Sequence, residues 1–230
     1  MGEKQTAKSH IYRDDFSLPC EDVILSEFLS PGMNVLDIGC AASGRSARVL
    51  KKHGVNVYSI ELNHDAIAEF SRRPDSQGIE LITADMTKLP FQDQFFDMVM
   101  IAYHGLDYLN PESLRISAIR ESARVLKKNG QFVFNTLNPV GVIASPRHIY
   151  DLKYLIWRAK QILKLGFLKS TLIDSHGIEM FQGSPRTVIN QIQHQVNLKF
   201  LYIISQKSTI RNKFLISLFS SGPYYVFSKT

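Results

Sequence analysis

The chain has 230 residues, 44% of them hydrophobic, and a net charge of +6, which is enough length and apolar content for one well-buried α/β domain. Its two cysteines, Cys20 and Cys40, stand at no metal-like spacing and read as free thiols of a reducing, cytoplasmic compartment. No apolar run reaches the roughly 20 residues that a membrane span needs, so a soluble protein is expected.

Charge is unevenly placed: residues 1–145 hold 15 Lys+Arg against 18 Asp+Glu, and residues 146–230 hold 12 against 3. The acidic part suits a cationic ligand; the basic part suits an anionic substrate, a membrane surface or nucleic acid, or is simply a solvated face.

A polar arm, residues 1–17, carries Tyr12 and leads into a helix over 19–29 with Val23, Ile24, Phe28 and Leu29 on one side. Pro31-Gly32 ends it. Val35, Leu36 and Ile38 form a buried parallel strand. The run Gly39-Cys40-Ala41-Ala42-Ser43-Gly44 is then a tight turn into a helix from Arg45. Small residues here keep a surface open at the strand's carboxyl end, where a ligand can approach the backbone. Three patterns fit unequally. A dinucleotide turn needs a glycine where Ala41 stands; a phosphate-binding loop matches from Gly39 to Ser46 except that Arg45 replaces the lysine; a turn of the D-x-G-x-x-x-G kind runs from Asp37 to Gly44 with one residue more between its two glycines.

After the helix Arg45–His53 and a capping Gly54, Val55–Ile60 is the second strand, with Glu61 at its tip, 22 residues beyond Gly39. In a doubly wound sheet that acid lies beside the first turn, where its two oxygens can accept both hydroxyls of a ribose. The plainer alternative is an acid capping the helix that starts near His64 or Asp65. A helix through Ile67 and Phe70 and a polar turn lead to the third strand, Ile79–Thr83, followed by Ala84-Asp85-Met86. The fourth strand, Phe95–Ala102, carries Tyr103-His104-Gly105-Leu106-Asp107-Tyr108. A helix from Pro111 ends at Lys127-Lys128-Asn129-Gly130, and Gln131–Thr136 is the fifth strand.

Taken together, the turn at 37–44, the acids Glu61 and Asp85, and the passage Arg124–Phe132, which is similar to R-V-L-K-P-G-G, resemble class I S-adenosylmethionine-dependent methyltransferases of the small-molecule type over the first 136 residues. The resemblance implies S-adenosylmethionine as cofactor, S-adenosylhomocysteine as product, and a cofactor-binding set of Asp37, Gly39, Cys40, Gly44, Glu61, Leu62, Asp85, Met86 and Ala102. In it Glu61 holds the ribose, Asp85 with Met86 the adenine, and Gly39 with its neighbours the methionine portion, while Asp37 acts through water or the loop amides on the cofactor's amino group. No metal is implied, Cys40 is a small filler rather than a nucleophile, and Tyr12 is a candidate lid residue. The catalytic candidates are His104, a residue type that titrates near neutrality, as general base, and Tyr103, which with Asp107 could orient an acceptor. Neither an N-P-P-[YF] motif nor a Pro-Cys nucleophile follows the fourth strand, which makes nucleic acid an improbable acceptor. The alternatives are an RNA methyltransferase using the basic C-terminal part, a P-loop-like nucleotide-binding protein, and a module that binds cofactor without transfer.

Beyond residue 136 the resemblance thins. Residues 146–170 form a basic amphipathic segment, a substrate lid or a peripheral contact with a membrane or anionic substrate. A helix over 186–196 and strands over 198–204 and 224–228 follow, with 212–221 unassigned. The resemblance implies an α/β, Rossmann-like, seven-stranded, mostly parallel sheet of order 3-2-1-4-5-7-6, its last strand antiparallel and helices on both faces. One methyltransferase domain is expected over 1–230: an arm and helix to 30, a cofactor-binding core over 31–136, a variable substrate-side insertion over 140–185 and a closing unit over 186–230. The acceptor atom, whether oxygen, nitrogen or carbon, and the oligomeric state are not legible.

Overall fold

In a computed structural model of the protein, the described residues are 16–144, 152, 156, 160, 170–174 and 177–230. Seven strands build the main sheet in the order β3-β2-β1-β4-β5-β9-β8. They are β1 Asn34–Ile38, β2 Asn56–Glu61, β3 Ile79–Thr83, β4 Phe96–Ile101, β5 Leu126–Asn135, β8 Leu198–Ile204 and β9 Tyr224–Lys229. The first five run parallel, and β9 is antiparallel to both β5 and β8, so the expected order and the reversed last strand are both present. Helix α1 (Pro19–Phe28) precedes the first strand, while α2 (Arg45–Lys51), α3 (His64–Ser71) and α4 (Glu112–Val125) cross between strands, as parallel pairing requires. Helices α5 (Pro139–Ala144), α6 (Pro185–Gln195) and α7 (Lys213–Phe219) belong to the C-terminal part.

Side chains alternate along each strand, so the sheet divides its apolar residues between two cores. Leu36, Ile38, Ile60, Val99, Phe132, Phe134, Tyr225 and Phe227 pack on one face; Val35, Val57, Met98, Met100, Val133, Tyr224 and Val226 pack on the other. Both faces are covered, which is why β1 and β4 read as almost unbroken hydrophobic runs.

Four features depart from expectation. The fifth strand begins at Leu126, directly where α4 ends, and between Phe96 opposite Leu126 and Met98 opposite Gln131 the register shifts. Asn129 takes the left-handed turn there, at φ +63. Gly130 is not a helix stop: a Cβ on it would lie 2.9 Å from the Lys127 carbonyl oxygen and 3.0 Å from that of Asp97, so close backbone approach demands it. A short antiparallel hairpin, β6 (Thr171–Ile173) with β7 (Glu179–Phe181), was not anticipated. The unassigned 212–221 stretch contains α7, started by Asn212, whose Oδ1 accepts the backbone N–H groups of Phe214 and Leu215 at 3.1 Å. Tyr12 and most of the 146–170 segment lie outside the described residues; of the latter, Leu152, Ile156 and Lys160 are helical and exposed.

Candidate functional site

The carboxyl ends of β1, β2 and β3 form one rim, and the sequence candidates for cofactor binding sit on it or directly beneath it. Gly39 stands at φ +82, a conformation that favours glycine, and its N–H donates to the Ile60 carbonyl at 2.8 Å. A Cβ there would meet nothing within 4 Å, so Gly39 borders open space. Glu61 leans toward the same turn: Oε2 accepts the Ala41 N–H at 3.2 Å and Oε1 the Asn63 N–H at 3.1 Å. A carboxylate has about four acceptor positions, so these two bonds leave capacity for a pair of ribose hydroxyls. The helix-capping alternative for Glu61 falls to Asn63, whose Oδ1 accepts from Asp65 and Ala66 at the start of α3. Leu62 is 69% exposed beside Glu61, an apolar side chain placed in water at the rim. Asp85 is exposed at the end of β3 with Oδ1 accepting the Thr87 N–H and hydroxyl at 2.7 and 2.8 Å, and Met86 is half-buried next to it. Ala102, at the end of β4, is buried.

Three members of the set lie under the rim rather than on it. Asp37 is fully buried; its Oδ2 accepts the Ser59 hydroxyl at 2.8 Å, and its Oδ1 has no hydrogen-bond partner. Burial pushes its carboxyl up to about 6, against the opposing pull of the Ser46 and Ser59 hydroxyls and the Arg45 guanidinium. Gly44, expected to help keep the turn open, is buried at φ +58, and a Cβ on it would lie 2.0 Å from Cζ of Phe70. Its missing side chain makes room for an aromatic ring of α3, not for a ligand. Cys40 is buried too, and desolvation with the Asp37 carboxylate nearby pushes its thiol up to about 12, so it is an inert filler.

Arg45 decides the phosphate-loop reading. Its two terminal nitrogens each lie 2.7 Å from a carboxylate oxygen of Glu21 on α1, and that carboxylate also accepts the Tyr224 hydroxyl at 2.8 Å and the Leu18 N–H at 2.9 Å. The guanidinium is therefore a buried structural cation, turned away from the space where a phosphate would lie. It also sits 4.4 Å from the ring centre of Tyr103 and 5.8 Å from that of Phe16, tying α1 and the chain before it to the tip of β4. Nothing in sequence spacing pairs Glu21 with Arg45 and Tyr224, which come together only through the fold.

At the tip of β4, Tyr103 and His104 both stand at positive φ, +52 and +66. Two bulky side chains in the left-handed region cost about 1–2 kcal/mol each, and the surroundings hold them there. The His104 N–H donates to Asn135 Oδ1 at 3.0 Å; its Nδ1 lies 3.0 Å from Asp107 Oδ2, which also accepts the Leu137 N–H at 2.8 Å. A carboxylate at Nδ1 assigns the proton to that nitrogen and leaves Nε2 as the basic one. Asn135 Nδ2 sits 3.3 Å from Nε2, and Gly222 closes on the ring edge, where a Cβ would come within 2.7 Å of Cε1. Asp107 has no exposed surface, so it does not orient an acceptor as expected; it orients His104, whose side chain is 18% exposed. Desolvation holds the Asp107 carboxyl above its usual range, with the His104 contact opposing. Tyr103 is 40% exposed.

Beyond this tip lies a cleft of about 470 Å³ lined by residues including Asn110, Glu112, Arg115, Thr171, Glu179 and Phe181, with the Arg115 guanidinium 3.7 Å over the Phe181 ring. It is neither an apolar tunnel nor a basic trough. Among the described residues no cluster of side chains could hold a metal ion.

Residues 36–134 match the model of a methyltransferase domain. The chain is 28% identical over 165 residues to an uncharacterized protein of Methanocaldococcus jannaschii, covering 71% of this chain and 56% of that one. It is 36% identical over 104 residues to the demethylmenaquinone methyltransferase of Beutenbergia cavernae (45% and 40% covered). Over 114 residues it is 31% identical to the fatty-acid O-methyltransferase of Mycolicibacterium smegmatis (47% and 38%). It thus spans about half or less of the length of these curated relatives. In fold it is similar to an S-adenosylmethionine-dependent methyltransferase of Methanosarcina mazei, with a TM-score of 0.65, 17% identity, and 94% and 98% of the two chains covered. Over residues 36–134, then, the chain matches a methyltransferase domain, and its fold is that of S-adenosylmethionine-dependent methyltransferases.

Proposed function

We propose that the protein methylates a small apolar acceptor of the lipid or quinone kind at an atom that must lose a proton, with His104 as the general base. The observation that carries the reading is the His104–Asp107 pair, held at a strained strand tip opposite the cofactor rim. S-adenosylmethionine, when bound, supplies a methyl group on a positively charged sulfur. Glu61 would hold its ribose, Leu62 would cover one face of its adenine, Asp85 with the Met86 backbone would take the adenine edge, and Gly39 would admit the methionine portion. Asp37, buried below the turn, would set the loop's geometry and field rather than touch it. His104 Nε2 would take the acceptor's proton while Asp107 stabilises the resulting imidazolium. No covalent residue is needed, since alignment and exclusion of water supply most of the rate. Two of the relatives act, by name, on a menaquinone precursor and on fatty acids, which supports a lipid-like acceptor. The carboxylates of Glu112 and Glu179 beside the cleft suit a phosphodiester chain poorly, which weighs against RNA.

The test is calorimetry with S-adenosylhomocysteine, followed by transfer of labelled methyl to demethylated quinone, fatty acid and RNA. Heat that is lost in Glu61→Ala, label in a lipid fraction, and turnover falling about 10²–10⁴-fold in His104→Ala with cofactor affinity unchanged are expected. Label in RNA alone, or full turnover without His104, would overturn the reading.

A further inference from the structure

Helix α7, Lys213–Phe219, is apolar on almost every side, yet Ile216 alone of its hydrophobic residues is fully buried. Phe214 is 72% exposed, Phe219 57% and Leu215 42%, and Ile210, just upstream, is 47% exposed. At about 100° per residue, Phe214, Leu218, Leu215 and Phe219 fall within an arc of about 140° on the outer side. A contiguous apolar face of this kind on a globular chain marks a contact surface.

The helix is firmly mounted. Asn138, just after β5, donates through Nδ2 to the carbonyls of Ser217 and Ser220 at 2.9 Å, and its N–H donates to Ser221 at 2.8 Å. Gly141 of α5 lies so close that a Cβ would be 1.9 Å from the Ser220 carbonyl oxygen. The loop that leaves α7 carries Gly222, which abuts the His104 ring. Helix α7 is thus joined by a short loop to the glycine beside His104.

Its electrostatic setting is one-sided. Residues 180–230 contain six Lys+Arg and no Asp or Glu. Lys207 and Lys213 are exposed around the patch. Arg211 stacks on Tyr202 at 3.9 Å and pairs with Glu27. A second copy of the chain would bring like charge to like charge, and although Phe214 and Phe219 could stack on bases, Leu215 and Leu218 fill the rest of the arc and no side chain in it hydrogen-bonds a base edge. Hydrocarbon beneath an anionic headgroup layer matches both the apolar arc and the cations around it.

We propose that α7 docks the protein on an anionic lipid bilayer, inserting Phe214, Leu215 and Phe219 while Lys207 and Lys213 meet headgroup phosphates, so that an acceptor dissolved in the bilayer reaches His104 from the membrane side. This rests on the methyltransferase reading only for what the acceptor is; the docking itself does not.

The test is sedimentation of the full chain with vesicles of phosphatidylcholine, alone or mixed with phosphatidylglycerol. Wild-type protein should bind the anionic vesicles and be released by salt. Phe214→Ser/Phe219→Ser should weaken binding at least about tenfold, and Lys207→Gln/Lys213→Gln should remove the preference for phosphatidylglycerol. Both variants should keep the heat of S-adenosylhomocysteine binding, because none of the four residues belongs to the cofactor rim. Equal binding to both vesicle types, anionic binding unchanged in the two variants, displacement from vesicles by an RNA oligonucleotide, or a dimer that dissociates in Phe214→Ser/Phe219→Ser would each overturn the proposal. Vesicle binding without cofactor heat would instead overturn the methyltransferase reading and leave docking standing.

Discussion

The two rims of this sheet are built by different means. The cofactor rim comes from residues 37–86, a single stretch of chain in which each functional group closes a strand or opens a turn, and its hydrogen bonds span at most about two strand-helix units, as Ala41 to Glu61 does. The acceptor rim is gathered from distant places: Tyr103, His104 and Asp107 after β4, Asn135 at the end of β5, Gly222 before β9. One rim is made by local backbone chemistry that any sequence of this pattern would reproduce. The other is made by packing that can be rebuilt without disturbing the first. Arg45 links them, since it stands on α2 beside the cofactor turn, pairs with Glu21 of α1 and lies against Tyr103 at the tip of β4.

Breaking that link should have the largest effect. Arg45→Met leaves the Glu21 carboxylate, with no exposed surface, uncompensated, and a buried ion pair broken on one side costs about 3–5 kcal/mol. Urea denaturation should show this loss, and Glu21→Gln/Arg45→Met should recover much of it. An Arg45→Met protein of unchanged stability that no longer bound ATP would return the phosphate-loop reading.

The two glycines of the turn sharpen the contrast within one rim. Gly44→Ala drives a methyl into the Phe70 ring and holds alanine at φ +58, so overpacking and strain together should cost about 3–4 kcal/mol. Gly39→Ala meets no neighbour, so its stability cost is the backbone strain alone, about 1–2 kcal/mol, while its methyl projects into the space assigned to cofactor. Thermal unfolding should separate the two, and calorimetry with S-adenosylhomocysteine should show the larger loss of affinity in Gly39→Ala among molecules that remain folded.

The same division sets how much was legible in the sequence. The strands β1 to β4 are short, mostly apolar runs set off by turn residues, so periodicity and turn chemistry located them and the sheet order followed from the resemblance. The positions of Glu61 and Asp85 at the ends of β2 and β3 were legible because a strand tip is a sequence-local address. Gly44 was assigned to the open surface of the turn because a motif records which residues recur, not which way each faces. Asp107 was misplaced for a related reason: its role depends on burial behind His104 and on the Leu137 N–H, 30 positions away. The Glu21–Arg45–Tyr224 cluster spans 203 positions and has no local signature. Helix α7 escaped because an apolar stretch with no polar face carries no helical period to detect.

A smaller effect than those of Arg45 and Gly44 lies at Asp37, where a buried acid beneath the turn carries a cost of its own. Its folded pKa of about 6 stands above the value of about 3.9 expected in the unfolded chain, so between those pH values the folded state holds a proton that the unfolded state has released. The favourable contribution is complete below pH about 4 and disappears as pH rises through about 6, which leaves the neutral protein less stable by about 2–3 kcal/mol than one with an uncharged group there. Asp37→Asn should therefore gain stability relative to wild type as pH rises from 4.5, with the difference between the two proteins growing to just above pH 6 and level from there to 7.5 in urea titrations. A difference that stayed flat with pH would mean that the carboxyl is ionised throughout, and that its charge is already met by Ser59, Ser46 and Arg45. If the gain appears while S-adenosylhomocysteine affinity falls, the charge is kept for the cofactor at the expense of the fold, and a buried acid beneath the turn acts on a cation it does not touch.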